Sequence, residues 1–418
     1  RDASGRNELF EQIADANPGC PARVGWTMFE TDRLPKGWAE TLNKLDEVWV
    51  PSAFNLKTFS DAGVDRSKLH VVPGSIDPGA YLAAEPLELP GEKATVTYLS
   101  VFQWVRRKGW DILLRAWAAA FRPTENVRLV LRCDPFGDTG LAMREIFENS
   151  LRELGLRESE MAPILLLEDF VKESDMPRLY AACDIFVLPS RGEGWGLPYL
   201  EAMAAAKPCI GTAWGASLEF LNEKNAWLLD PRVPVKVGQS ACDENPYLAP
   251  DHEWADPDPI ELAALLRRTA TTKDEYVSKA ERARADAVAR WSPRTTAAAI
   301  GLRLLALQAR AETVDLPTPR IVEHAGRGHL SDALSKVAAG LRHGGKAGSP
   351  PRDTNSGTKR LAVRWEGSQF IHHSLAHVNR EFCLGLSKVG HELSLIPYET
   401  DQFDPRSDAR LAPLAKLV

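Results

Sequence analysis

The feature that most constrains this chain is the alternation of short apolar runs with amphipathic stretches. "DEVWVPS" (46–52), "KLHVVPG" (68–74), "ATVTYLSVF" (94–102), "VRLVLRCD", "APILLLED", "CDIFVLPS", "KPCIGTA" and "NAWLLD" read as buried strands. Helical patterns such as "AFNLKTFSDAG", ending at Gly63, lie between them. Strands separated by helices need crossover connections, so the chain is predicted to be α/β with parallel sheets. At 418 residues it is too long for one ordinary core and suits two domains. A second doubly wound sheet should begin near residue 94 and close in helices from about 274 to 311.

The 44% hydrophobic and 26% charged content is a globular balance. A net charge of -6 gives the chain as a whole no electrostatic case for binding nucleic acid. The six cysteines have no CxxC or CxH spacing, which argues for buried reduced thiols rather than disulfides or zinc. No apolar run approaches the ~20 residues of a membrane span. The expectation is a cytoplasmic protein without signal peptide or transmembrane segment, with peripheral membrane contact left open.

The periodic pattern decays over 312–359, where "HGGKAGSPPRDTNSGTKR" reads as a flexible linker. A fresh βαβ opening follows: "LAVRWEG", then "HSLAHVNREFCLGLSKVG" stopped by Gly390, then "HELSLIPYE".

Two stretches carry chemistry. In "SVFQWVRRKGWDILLRAW" a strand ends near Phe102, a loop carries Arg106, Arg107 and Lys108, and Gly109 precedes a helix. Basic side chains beside a helix N-terminus suit phosphate anions, although a solvated basic turn has the same composition. In "SRGEGWGLPYLEAM" a strand leads through Gly192, Gly194 and Gly196 into a helix, with Glu193 and Glu201 eight residues apart. Such turns lie at the carboxyl ends of strands, where open α/β sheets bind ligands. Glu201, expected in the first helical turn, could accept both hydroxyls of a ribose, and Glu193 would point into the same cleft. The alternative makes Glu201 a helix-dipole partner and Glu193 a solvated loop charge.

The RKG loop, the EGWGLP turn and "IGTAWGASLEF" together resemble the nucleotide-sugar half of retaining GT-B glycosyltransferases. More closely, they look like the glycogen-synthase and mannosyltransferase-like family with its E-x7-E pair. The resemblance extends through "LYAACDIFVLPS" and "ARWSPRTTAAAI". "GWTMFETDRLP", "LDEVWVPSAFN" and "LHVVPGSID" look like the last segments of that family's acceptor domain. It implies a GT-B fold of two Rossmann-like domains facing a cleft. It also implies hexose transfer from a nucleotide diphosphate sugar to a hydroxyl acceptor, with no metal or other cofactor.

Carried over by residue, Lys108 should bind the donor diphosphate with Arg107 or Arg106 beside it. Glu201 should hold the ribose, and Glu193 should contact the transferred sugar or its phosphate. Gly196, Leu197 and Pro198 should shape the turn that approaches the diphosphate. Phe170 and Val171 are the candidates for the base, while Glu30, Gly367 and Ser368 should lie on the acceptor side. Two positions depart from the family pattern: Phe102 stands where many members have arginine, and Ser75 where they have glycine. His372, His373 and His377 lack carboxylate or cysteine partners at ligand spacing and suit a loop or helix-start role.

The final segment resembles the first βαβ unit of the same acceptor domain, so the family's order is rotated. The expected division is 1–93 late acceptor domain, 94–311 nucleotide-sugar domain, 312–359 linker and 360–418 early acceptor domain. A window cut from a tandem array, with further transferase domains in the full-length chain, and a circular permutant both fit that order. In either case the C-terminal piece should dock on the N-terminal piece, because a lone βαβ unit exposes too much apolar surface. A sugar-nucleotide epimerase of the same fold, or a binding domain without catalysis, are the competing functions.

Overall fold

A computed structural model describes residues 22–136, 140–169, 171–245, 247–314, 361–367, 369, 374–397, 401–408 and 410–418. The expected α/β class is met by parallel sheets. The strands β1 (Val24–Trp26), β2 (Glu47–Val50) and β3 (Leu69–Val71) form a three-stranded parallel sheet in that order. Six further strands form the main parallel sheet: β4 (Val96–Gln103), β5 (Val127–Asp134), β6 (Ile164–Leu167), β7 (Ile185–Leu188), β8 (Cys209–Thr212) and β9 (Ala226–Leu229). Their spatial order is β6-β5-β4-β7-β8-β9. The chain therefore winds outward from β4 to β6, returns to pair β7 against β4, and winds the other way. That reversal between β4 and β7 is a topological switch point, the place where such sheets leave a crevice at their carboxyl ends.

The strands of this sheet are buried on both faces, as their continuous Val, Ile and Leu runs require in a helix-covered parallel sheet. Helices Trp110–Ala120 and Pro259–Thr269 pack together over it, closed by Trp117, Tyr98 and Phe121 at ring-centroid separations of 4.8 to 6.1 Å.

Two segments of the 94–311 stretch share cores with residues outside it. Between β9 and helix Pro259–Thr269, an antiparallel pair, β10 (Val235–Lys236) and β11 (Glu253–Trp254), flanks helix Gly238–Glu244. Val237, Ala241, Leu248 and Trp254 of this excursion share a core with Phe29, Trp38, Leu42 and Phe59. Helix Pro293–Val314 likewise crosses back to the three-stranded sheet. There its Arg303 reaches the fully buried Glu47, which also accepts from Trp49 Nε1 at 2.8 Å.

The C-terminal strands β12 (Ala362–Gly367) and β13 (Glu392–Pro397) are parallel, joined by helix Ser374–Lys388. Among the described residues they pair only with each other. Docking on the N-terminal unit runs through the helix instead: Val378, Phe382 and Leu386 pack with Trp49, Val72 and Ile300. Phe382 meets the Trp26 ring edge-on at 5.2 Å. Burying each such side chain contributes roughly 1.5–3 kcal/mol.

Gly192 and Gly194 let two chain segments approach each other. A Cβ on Gly192 would lie 2.3 Å from the Glu30 carbonyl oxygen, and one on Gly194 2.6 Å from Met28 Sδ. Gly192→Ala should therefore destabilise the protein by about 1–3 kcal/mol, because its neighbour is backbone and cannot swing aside. Gly194→Ala, facing a flexible methionine, should cost less. Thermal unfolding of both variants checks this order.

Candidate active site

The RKG loop follows β4 and the EGWG turn follows β7, so the two motifs flank the switch point. Arg106–Lys108 form a single 3-10 turn that ends at Gly109, whose φ of 69° opens helix Trp110–Ala120. A Cβ there would sit 2.0 Å from the Pro189 carbonyl oxygen. Glycine is thus required twice, for the left-handed backbone and for contact with the end of β7. Arg191 locks the same junction. Its guanidinium binds both carboxylate oxygens of Asp111, at 2.7 and 2.8 Å, and donates to Asp256 at 3.1 Å. Burial opposes the charge on Asp111, but the Arg191 bonds hold its carboxyl below the usual range.

Four predicted site residues are brought together. Lys108 Nζ donates to both oxygens of Glu193 at 2.7 and 2.8 Å, with both side chains nearly enclosed. Arg107 lies 3.6 Å from Glu193, 3.2 Å from Glu30, and donates to the Gly192 carbonyl at 2.7 Å. Signs alternate through the cluster in the order Glu30, Arg107, Glu193, Lys108. Burial pushes the Lys108 ammonium below its ordinary value, against the attraction of Glu193. Glu30, expected to contact an acceptor, spends its charge on Arg107.

The remaining candidates lie elsewhere. Arg106 turns outward to Glu153, and its backbone N–H donates to Glu244 at 2.8 Å, so the arginine beside the lysine is Arg107. Glu201 falls one turn deeper in helix Leu197–Ala204 than expected. It is buried, and its oxygens accept from Tyr81 Oη at 3.1 Å and Tyr180 Oη at 2.7 Å. Burial raises its carboxyl pKa. Each of its oxygens retains a lone pair, so a ribose hydroxyl can join the tyrosines. Gly196 caps the helix at φ 87°, followed by buried Leu197 and by Pro198 in the first turn. Val171 packs against the main core after β6. Gly367 ends β12 opposite Pro397. Phe170, Ser368, His372 and His373 lie outside the described residues.

Trp195, at the centre of the turn, was not singled out from sequence. Its ring packs on Phe220 and Trp291 at 5.1 and 5.5 Å and leaves room only for a glycine at Gly74. The glycine in "VVPGSID" therefore serves the tryptophan. Ser75 is fully buried beside it. Arg107 Nε, Ser75 Oγ, Trp195 Nε1 and Trp214 Nε1 are buried without a protein hydrogen-bond partner, which a polar ligand in this region would supply.

Sequence reading also missed Glu173, in the turn after β6. It gathers three cations of the C-terminal unit: His377 Nδ1 at 2.9 Å, Arg380 at 2.6 Å and Arg410 at 3.4 Å. Burial raises the pKa of Glu173, but the bonds and charges of His377 and Arg380 outweigh it and hold the carboxyl well below the ordinary glutamate value. A depressed folded-state pKa stabilises fully above the unfolded value, about 4.3, and that stability is lost as pH falls. Unfolding of wild type and Glu173→Gln should differ most near neutral pH, with the gap narrowing below pH ~4.3. A gap independent of pH would remove the ion pairs as its cause.

Residues 93–242 match the family model of glycosyl transferases group 1. The chain is 28% identical over 220 residues to a D-inositol 3-phosphate glycosyltransferase of Corynebacterium kroppenstedtii, covering 47% of each chain. It is 26% identical over 240 residues to a GDP-mannose-dependent alpha-(1-6)-phosphatidylinositol monomannoside mannosyltransferase of Mycobacterium tuberculosis, covering 53% of this chain and 57% of that one. These matches span about half the length of the relatives. A solved sucrose-phosphate synthase from Thermosynechococcus elongatus aligns at a TM-score of 0.48 and 21% identity, over 65% of this chain and 61% of that one. No described helix is long and apolar enough to cross a membrane. The α/β unit that carries the Lys108–Glu193 cluster is thus, across residues 93–242, a match to the group 1 glycosyl transferases.

Proposed function

We propose that this protein transfers a hexose from a nucleotide diphosphate sugar to a hydroxyl acceptor, with retention at the anomeric carbon and without a metal, in the cytoplasm. The observation that carries the reading is the convergence of Lys108 and Arg107 on Glu193 at the switch point between β4 and β7. Similarity to a relative named as GDP-mannose-dependent supports a nucleotide diphosphate sugar as donor.

In this reading Glu193 neutralises Lys108 and Arg107 until the donor arrives. The diphosphate then takes up the ammonium and guanidinium, and Glu193 is freed to accept from hydroxyls of the transferred sugar. The bond from anomeric carbon to phosphate oxygen breaks, and the electron pair leaves with the diphosphate. Lys108 and Arg107 stabilise that growing charge, the largest electrostatic lever in the site. The acceptor hydroxyl attacks from the face the diphosphate vacates, and its proton passes to the departing phosphate oxygen. Glu201 holds the ribose, Gly196, Leu197 and Pro198 shape the diphosphate turn, and Val171 borders the base. Glu30 and Gly367 lie toward the acceptor, and closure of the cleft over the donor excludes water.

Lys108→Ala should lower kcat/KM by about 10²–10³-fold, the range for losing one stabilising group at a developing anion. Folding of the variant is checked by circular dichroism, and near-normal kcat/KM would remove the lysine from this role. Anomeric configuration of the product, read by NMR, should match the donor; an inverted product would overturn retention.

A further inference from the structure

The turn that carries Arg107 and Lys108 is held from two sides. Its own bonds run from the Lys108 N–H to the Val105 carbonyl and from the Gly109 N–H to the Arg106 carbonyl, both at 2.9 Å. Val105, in the capping position, supplies no side-chain bond, so the first N–H of the turn, that of Arg106, has no partner within it. Arg191 holds the carbonyl side. Its N–H donates to the Arg107 carbonyl at 2.7 Å, and its guanidinium donates to the Arg106 carbonyl at 2.8 Å. Glu244 holds the other side by accepting the Arg106 N–H at 2.8 Å.

Glu244 is the last residue of helix Gly238–Glu244, and that helix with its flanks is built into the core of the N-terminal unit through Val237, Ala241 and Leu248. The same excursion fixes the loop after β1. The Asp32 N–H donates to the Glu253 carbonyl at 3.0 Å, and the Glu253 N–H returns to Asp32 Oδ1 at 2.6 Å. Thr31 Oγ1 lies 3.1 Å from His252 Nδ1. Glu30, one residue before Thr31, meets Arg107 at 3.2 Å. Glu244 and Glu30 therefore reach the turn from one packed body, the first through its backbone and the second through a side chain. Val105, Arg107, Glu244 and Leu248 border a cavity of only about 20 Å³, room for a single water. A turn packed this closely against the excursion has little slack in which to reorient.

We propose that Glu244 is a positioning residue for the donor diphosphate: by satisfying the first N–H of the turn it keeps Arg107 and Lys108 aimed at the place where the phosphates bind. The inference rests on the function proposed above. It gives the excursion between β9 and helix Pro259–Thr269 a role in that reaction, because a carboxylate anchored in the N-terminal core completes the phosphate loop of the main sheet.

Calorimetric titration of the full chain with UDP, GDP and ADP, and with UMP, GMP and AMP, compares wild type with three variants. In the proposed reaction Lys108 and Arg107 meet the phosphate that leaves the anomeric carbon, which the monophosphates lack. Glu244→Ala removes the acceptor, Glu244→Asp keeps the charge but withdraws it by one methylene, and Glu244→Gln keeps an acceptor of the same reach. The expected result is a loss of about tenfold in affinity for the diphosphate in Glu244→Ala and Glu244→Asp, the scale of one hydrogen bond. Monophosphate affinity should not change, and Glu244→Gln should stay close to wild type. Where Glu244→Ala does not fold, Glu244→Asp against Glu244→Gln carries the same comparison, with Tm as the check. Wild-type diphosphate affinity in the variants that lose the bond would overturn the proposal. Equal losses for monophosphate and diphosphate, together with a lowered Tm, would overturn it too and leave Glu244 a structural clasp. Failure of wild type to bind any of these nucleotides, or to prefer the diphosphate, would instead overturn the phosphate role of Lys108 and Arg107, and this inference with it.

Discussion

A carboxylate taken from water into a protein interior must be matched by cations at hydrogen-bond distance, or folding is opposed by several kcal/mol. Glu193 is such a carboxylate, and much of the structure follows from meeting its demand. Lys108 and Arg107 reach it only because β4 and β7 are neighbours, so that the loops after them share one end of the sheet. The loops come close enough only because Gly109 lies against Pro189 and Gly192 against Glu30. Arg191 then fixes the junction with a two-pronged bond to Asp111. Geometry and charge are one constraint here: loosening the backbone contact would strand the carboxylate.

The same device recurs at three other joins between segments distant in sequence. Glu30 of the N-terminal unit takes Arg107 of the main sheet's first loop. Glu47, fully buried in β2, takes Arg303 from the helix that returns across the molecule. Glu173, after β6, takes His377, Arg380 and Arg410 of the C-terminal unit. In each case apolar packing supplies most of the attraction and is indifferent to exact register. The paired charges are directional and costly to leave unmet, so they select one arrangement among those the apolar faces permit.

Much of the fold was legible in the chain because it rests on local pattern. The strands of the main sheet stand where their apolar runs predicted, since a parallel strand covered on both faces must be apolar throughout; β12 and β13, whose residues alternate between exposed and partly buried, also stand where expected. Less visible were β1, three residues long, and the β10–β11 excursion, whose Trp254 and Leu248 join a core built from residues near the N-terminus. Such short elements carry no period of their own: β1 is held by pairing with β2, and the β10–β11 excursion by core residues near the N-terminus. The motif glycines were legible as necessary, but not their purpose: Gly192 and Gly194 admit Glu30 and Met28, and Gly74 admits Trp195.

By itself, the sequence determined the α/β class, the loops that carry basic and acidic groups, and the pairing of those loops with the carboxyl ends of strands. Periodicity and glycine placement act within a few residues, so they can be read without a partner. Which cation meets which carboxylate was decided only by the tertiary structure. Lys108 and Arg107 turn in to Glu193 while Arg106, one residue earlier, turns out to Glu153. Glu201 sinks behind Tyr81 and Tyr180, and Glu173 proves to be the anchor of the C-terminal helix. These choices depend on burial and on the distance between side chains, and both are set by strand order and packing rather than by spacing along the chain.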